Sequence, residues 1–213
     1  MKKIVIMLAA YNGQDFIKQQ IDSILQNNYG NLELIISDDC SSDDTVSIIN
    51  KYIREYKCIK LIKNEGIHGA LYNFENLIKY VKEYEISADY YMFSDQDDVW
   101  LQNKIAHSLS AIESYDKETP LLLYTSKQYV NENLEPIFFN ISQESFCDIN
   151  VIHQNKTYGC TYIFNFALLE KLDTNIDKNF VNYDHYVVIQ AFLYGSIKYL
   201  PEKTILYRQH GKN

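Results

Sequence analysis

Short apolar runs alternate along this chain with stretches whose apolar residues recur every three to four positions. Residues 4–8 are continuously apolar, as expected for a strand covered on both faces. Phe16, Ile17, Ile21, Ile24 and Leu25 then share one helical stripe. The alternation repeats with a strand at 32–36 and a helix marked by Val46, Ile48, Ile49, Tyr52 and Ile53. It repeats again with a strand at 59–62 and a helix carried by Ala70, Leu71, Phe74, Leu77, Ile78 and Val81. A strand at 90–93, a helix through Leu101, Ile105, Leu109 and Ile112, and a fifth strand at 121–124 follow. Such alternation predicts an α/β fold built on a largely parallel sheet. Residues 131–157 are polar, contain Pro136 and read as a long excursion. Order returns with a strand at 161–164, a helix near 184–194 and strands near 197–200 and 204–207. No repeat or linker interrupts the chain, so residues 1–213 read as one domain. A change of style near residue 120 separates the half 1–120 from the half 121–213.

Composition narrows the field. A chain of 213 residues can bury a core without disulfide staples. Apolar residues at 46% and charged residues at 23% place it among globular chains. Acidic groups outnumber basic ones by 28 to 20, for a net charge of −8, which argues against a nucleic-acid partner. No apolar run approaches the ~18 residues of a membrane span. The opening Met1-Lys2-Lys3 and the apolar run behind it imitate a secretion signal, but the run is short and no cleavage site follows. Cys40, Cys58, Cys147 and Cys160 form no CxxC pair, as expected for a reduced, cytoplasmic protein. The 19 tyrosines reflect either a biased background or surfaces on which sugars stack.

The candidate chemistry lies in acidic clusters. Asp38 and Asp39 end the second strand, with Asp43 and Asp44 just beyond, and Asp95, Asp97 and Asp98 end the fourth. Ligands of open α/β sheets bind outside the carboxyl ends of the strands, where both clusters fall. Carboxylates crowded in this way repel one another, which raises a pKa or recruits a cation, and hard oxygen ligands suit Mg²⁺ or Mn²⁺. Asp43 and Asp44 read as the start of the second helix. A helix start needs one carboxylate, whereas residues 95–98 supply three. An anionic nucleoside diphosphate would be repelled by such a centre unless a divalent cation bridged the two. No GxxxxGK[ST] and no GxGxxG occurs, which argues against P-loop and dinucleotide-binding readings, and Val99 breaks the EF-hand pattern. His68 lies between Gly66 and Gly69 at a helix start where a phosphate could dock. His107 and His153 read as ordinary surface or core residues.

Several blocks, in order, carry a resemblance. They are residues 7–13 (MLAAYNG), 35–43 (IISDDCSSD), 93–100 (FSDQDDVW), 159–161 (GCT), 183–186 (YDHY) and 207–211 (YRQHG). Together they resemble family 2 glycosyltransferases, and the Gln and Trp of the third block look most like the rhamnosyltransferase-type bacterial members. Cys40 departs from the pattern, standing where that family usually has glycine.

The resemblance implies a GT-A (nucleotide-diphospho-sugar transferase) fold, with a mixed, mostly parallel sheet flanked by helices. It also implies a divalent cation, Mn²⁺ or Mg²⁺, and a dTDP- or UDP-sugar donor, dTDP-L-rhamnose first. Ala10 and Tyr11 would cup the nucleotide, and Asp38 or Asp39 would accept the imide N–H of uracil or thymine. Asp95 would face the ribose or metal-bound water. Asp97, Asp98 and His210 would serve the metal, the order of Asp97 and Asp98 staying open. Trp100, Gly159, Cys160 and Arg208 would lie beside the donor or acceptor sugar, with Arg208 and His210 also within reach of the pyrophosphate. Asp184 would be the general base of an inverting displacement, unless it merely caps its helix, and His185 neighbours it. The implied acceptor is a growing bacterial surface glycan, free or lipid-linked, with peripheral contact at the inner membrane face. Members of this kind continue past the late YRQHG block, so the chain reads as a core truncated at its C-terminal side.

Two rivals remain at this stage. Asp95-Gln96-Asp97-Asp98-Val99 also fits the opening motif of haloacid-dehalogenase-like phosphatases, with Asp95 as nucleophile and Asp97 as acid/base. That motif normally sits on the first strand, whereas three strand–helix units precede it here. A non-catalytic nucleotide- or glycan-binding module with the same fold is the other.

Overall fold

The computed structural model describes residues 1–138, 157–174, 176 and 182–211. Most of the expected excursion, with Cys147 and His153, lies outside the described residues. Strand β1 (Ile4–Ala10) is followed by helix α1 (Ile17–Leu25), β2 (Leu32–Asp38), α2 (Thr45–Glu55), β3 (Ile59–Lys63), α3 (Ala70–Glu83) and β4 (Tyr90–Ser94). Then come β5 (Val99–Trp100), α4 (Lys104–Ile112), β6 (Leu121–Val130), β7 (Tyr162–Asn165), α5 (Phe166–Lys171), α6 (Tyr183–Tyr194) and β8 (Ser196–Arg208). The strands form one sheet in the order β3-β2-β1-β4-β7-β6-β8-β5. β3, β2, β1 and β4 run parallel, β7 is antiparallel to both β4 and β6, and β8 is parallel to β6.

Side chains alternate across this sheet and build two apolar layers. Val5, Met7, Ile35, Tyr91 and Phe93 face α3, α5 and α6. Ile4, Ile6, Leu8, Leu34 and Ile36 face α1, α2 and α4. Because strands β1, β2 and β4 are covered on both faces, their runs are continuously apolar in sequence. Phe93 holds the first layer together, its ring edge-on to Phe74 and Tyr183 at 5.3 and 5.5 Å. Truncating such a buried ring costs about 3–5 kcal/mol. The register sets Ala10 opposite Asp38 and Leu8 opposite Ser94, so the loops after β1, β2 and β4 open at one rim.

Three elements differ from the pattern-based expectation. Val99 and Trp100 make a short strand antiparallel to β8 instead of leading directly into a helix. The strands expected at 197–200 and 204–207 are one strand, β8, whose register against β6 shifts around Ser126. Helix α5 was not anticipated; Asn165 starts it by accepting the amide of Leu168. At the foot of β8, a Cβ on Gly195 would lie 1.8 Å from the Pro120 carbonyl oxygen, so only glycine fits there.

Candidate active site

The rim is laced together by residues from three separate blocks. Gln96 and Tyr11 exchange two hydrogen bonds, the Tyr11 amide donating to Oε1 and Nε2 donating to the Tyr11 carbonyl, both at 2.8 Å. The Asn12 amide donates to Ser41 Oγ, and the Gly13 amide to Thr45 Oγ1. Asp43 accepts the amides of Thr45 and Gln14, so it supplies the cap of α2, while Asp44 makes no side-chain cap bond.

Asp38 and Asp39 are both buried but differently used. Asp39 Oδ1 accepts from Asn64 Nδ2 at 2.7 Å and meets His68 Nδ1 at 2.9 Å, while Oδ2 accepts the Gly69 amide at 2.7 Å. Gly69 has φ +118°, a conformation available to glycine at little cost, and this aims its amide at Asp39. Asp38 Oδ2 accepts the Ser41 amide, and its Oδ1 is buried with no hydrogen-bond partner. Cys40 sits at φ +62°, where a residue with a Cβ is strained, which accounts for glycine being usual there.

Beyond β4 the three acids diverge. Asp97 Oδ2 meets His210 Nε2 at 2.9 Å. Asp98, 1% exposed, turns inward: Oδ1 accepts the Arg208 amide at 3.0 Å and Oδ2 is without a partner. Asp95, Asp98 and Cys160 bring one ligand atom each within 4.8 Å of one another. Burial, then Asp97 and Asp184, push the Asp95 carboxyl up to about 7. Burial, then Asp95 and Asp97, hold Asp98 well above the usual carboxylate range, and burial, then Asp98 and Asp95, raise the Cys160 thiol. Under this cluster lies the fully buried Lys104, lowered by burial to about 8. Its Nζ donates to the Cys160 carbonyl at 3.0 Å and to Thr204 Oγ1 at 3.4 Å.

Asp184 lies in the first turn of α6, where Asn182 occupies the cap position, and its Oδ1 accepts the His185 amide. A Cβ on Gly159 would approach Asp184 Cβ to 3.3 Å, which packs the turn Gly159–Thr161 against the start of α6. The rim therefore gathers Ala10, Tyr11, Asp38, Asp39, His68, Asp95, Asp97, Asp98, Gly159, Cys160, Asp184 and His210.

Two residues stand apart from their expected places. Trp100 is 2% exposed, its ring beside Lys104 and its amide bonded to Ser23 Oγ, so it presents no face to a sugar. Arg208 is equally buried and donates to the Asp97 and Glu132 carbonyls and to Gln19 Oε1, with its guanidinium 4.7 Å over Phe16. It clamps β8 to the acidic loop. Pattern reading missed Gln96, Asn64 and Lys104. Gln96 lies inside the acidic block and signals by position alone; Lys104 carries no signal, since a lysine beside an apolar stripe is common at helix surfaces.

Comparison with known proteins gives the family and the fold. The profile of the family described as "Glycosyl transferase family 2" matches residues 5–136, more than half of the chain. The chain belongs to that family, and its sheet is that of the GT-A glycosyltransferases. It is 28% identical over 220 residues to the dTDP-rhamnosyl transferase RfbG of Shigella flexneri, covering 97% of this chain and 72% of that protein. It is 38% identical over 114 residues to the Escherichia coli UDP-Glc:alpha-D-GlcNAc-diphosphoundecaprenol beta-1,3-glucosyltransferase WfaP, covering 54% of this chain and 43% of that protein. Among solved structures, S. aureus TarS 1-349 in complex with UDP-GlcNAc superposes with TM-score 0.75 at 18% identity, over 98% of this chain and 59% of that one. The mannosyltransferase PcManGT from Pyrobaculum calidifontis, in complex with GDP-Man and Mn²⁺, superposes with TM-score 0.71 at 14% identity, over 97% and 56%. The chain thus spans little more than half the length of these solved chains. The phosphatase reading is not favoured, since its motif follows β4, the fourth strand, in a chain of family 2.

Proposed function

We propose that this domain transfers a sugar, L-rhamnose first, from a dTDP- or UDP-linked donor to a hydroxyl of a bacterial surface glycan, with inversion at the anomeric carbon. The observation that carries the reading is the meeting of the acidic centre after β4 with Asp184 at the start of α6. Asp184 takes the proton of the acceptor hydroxyl as its oxygen attacks the anomeric carbon from the face opposite the departing diphosphate. A base in this role contributes about 10²–10⁴-fold to the rate. Asp38 offers its unpaired Oδ1 to the imide N–H of uracil or thymine, a donor that cytosine lacks. Asp39 holds the surrounding loop through Asn64, His68 and Gly69. Ala10 and Tyr11 line the nucleotide's floor.

The residues fit a divalent cation, Mn²⁺ or Mg²⁺: crowded oxygen donors with one buried carboxylate oxygen unsatisfied are what such an ion relieves. Asp97 and Asp98 would hold it, with His210 behind Asp97. When bound, it neutralises charge on the leaving diphosphate. RfbG and WfaP, by their names, support a dTDP- or UDP-sugar donor and a lipid-linked acceptor. An acceptor of that kind places the domain in the cytoplasm, against the inner membrane face. Among the described residues no helix is long and apolar enough to cross a membrane.

The test is a melting series with dTDP, UDP and GDP, each with and without Mn²⁺. A nucleotide at a hundredfold excess over its Kd stabilises by about 2.7 kcal/mol. Stabilisation by dTDP or UDP is expected; none with either nucleotide under any metal condition sinks the donor assignment. Asp184→Asn is expected to bind nucleotide unchanged while transfer falls at least about 10²-fold.

A further inference from the structure

An open groove of about 590 Å³ runs between α3 and the loop after β3. Tyr72, Asn76, Tyr80 and Tyr84 step along it every fourth residue, so one stripe of the helix brings three aromatic rings to one trough. Tyr72 and Tyr80 are half-buried against the apolar layer beneath, which fixes them from behind. Tyr84 is 66% exposed, with its ring 4.5 Å from that of Tyr80. Polar groups beside the rings are held as well. Asn76 Nδ2 donates to Ser37 Oγ at 3.0 Å, and Glu75 Oε1 accepts the Ile176 amide at 2.8 Å. None of Asp95, Asp97, Asp98 and Asp184 lines the groove, so it stands apart from the place of transfer. We propose that this groove binds a short, neutral stretch of glycan away from its reacting end.

The ligand class follows from the lining. A sugar ring offers apolar C–H faces that pack on aromatic rings, and hydroxyls that need polar partners at its edge. Tyrosine supplies an apolar body with a polar tip, while Glu75, Asn76 and Lys79 add acceptors and donors beside the rings. Charge selects against other partners. Two ammonium groups, of Lys63 and Lys79, stand against three carboxylates, of Glu65, Glu75 and Glu83. That balance leaves no positive surplus for a phosphate, a nucleic acid or an anionic membrane surface. The volume lies within the ~300–1,000 Å³ of small-ligand clefts. The groove is also continuous with the rim: residues 64–67 form one wall, and the same loop brings Asn64, His68 and Gly69 to Asp39. Three of the chain's 19 tyrosines thereby gain the sugar-stacking use that their number raised. The proposal rests on the transferase reading for the choice of glycan as ligand, and on the groove's own residues for the place.

The experiment titrates the isotopically labelled full chain with neutral trisaccharides of L-rhamnose, glucose and N-acetylglucosamine, and with a galacturonate trisaccharide as anionic control, and follows amide chemical shifts. At least one neutral trisaccharide is expected to shift the amides of residues 64–67 and 72–84 saturably, with the galacturonate chain at least about tenfold weaker. Tyr84→Ala should weaken that binding at least about tenfold, Tyr84→Trp should keep it, and neither should alter the affinity for dTDP or UDP. No saturable shift in the groove with any neutral trisaccharide overturns the proposal. So do equal binding of the galacturonate chain, unchanged sugar affinity in Tyr84→Ala, and self-association that covers the tyrosines without sugar. Should Tyr84→Ala fail to fold, Tyr80→Leu, which keeps the apolar contact and removes the ring, decides by the same criterion. Binding of dTDP or UDP without any glycan in the groove would defeat this site and leave the transferase reading standing. Glycan in the groove of a chain that binds neither nucleotide would do the reverse.

Discussion

Asp98 has one oxygen bonded to the Arg208 amide and another with nothing to bond, among Asp95 and Asp97. An acid whose folded pKa is raised binds its proton more tightly in the fold than in the unfolded chain. Its contribution is therefore present at low pH and lost as pH climbs from the ordinary carboxylate range through the raised value, about 7 for Asp95. The metal-free protein should lose stability between about pH 4 and 7, and Asp98→Asn should recover roughly 1–3 kcal/mol at pH 7.5 while weakening cation binding. Calorimetric melts across that range check both. Lys104 runs the opposite way. Its folded value is lowered to about 8, so the unfolded chain holds the proton more tightly and stability rises with pH above 8. By pH 9 the gain should be about 1 kcal/mol, before unfolded tyrosines begin to ionise near 10. In Lys104→Met that rise should vanish. The acidic cluster was legible in the sequence because three acids followed one strand. Its buried counter-charge was not, because the period of α4 says which face is inward but not that a lysine lies on it.

At the scale of elements, β8 and Arg208 hold the acidic loop in place. The guanidinium reaches Asp97, Glu132 and Gln19, each from a different segment, a spread that an ammonium cannot reproduce. Arg208→Lys should cost about 2–4 kcal/mol in urea unfolding and reduce cation affinity with it. β1, β2 and β4 could be read from the sequence because each is covered on both faces and hence largely apolar, and the edge strand β3 because its apolar residues stand between two helical stripes. β8 was read as two strands because Pro201 and Glu202 interrupt its apolar pattern, which the register shift against β6 absorbs. β5 has two residues, too few for any period to show. The antiparallel insertion of β7 between β4 and β6 is set by pairing across distant residues, about which local pattern is silent.

For the molecule as a whole, the two halves suggested by the change near residue 120 are not separable bodies. Phe93 from the first half packs on Tyr162, Phe164 and Tyr183 from the second, and β7 covers the edge of β4. A fragment of residues 1–120 should therefore expose an apolar strand edge and fail to fold cooperatively, seen as absent near-ultraviolet dichroism and aggregation. The same continuity reaches the rim. Gln96 grips both the amide and the carbonyl of Tyr11, so the loop after β1, proposed to hold the nucleotide, and the loop bearing the acids share one latch. Ligands on either side of a shared latch are thermodynamically linked: whatever factor the cation adds to nucleotide affinity, the nucleotide must add to cation affinity. In Gln96→Ala the two loops lose that tie, and titrations of each ligand in the presence of the other should show the reciprocal factor shrink to the part that the cation contributes through the diphosphate itself. The domain would then still bind both ligands, but the loops would no longer carry word from one to the other, and only the direct pull between cation and diphosphate would remain.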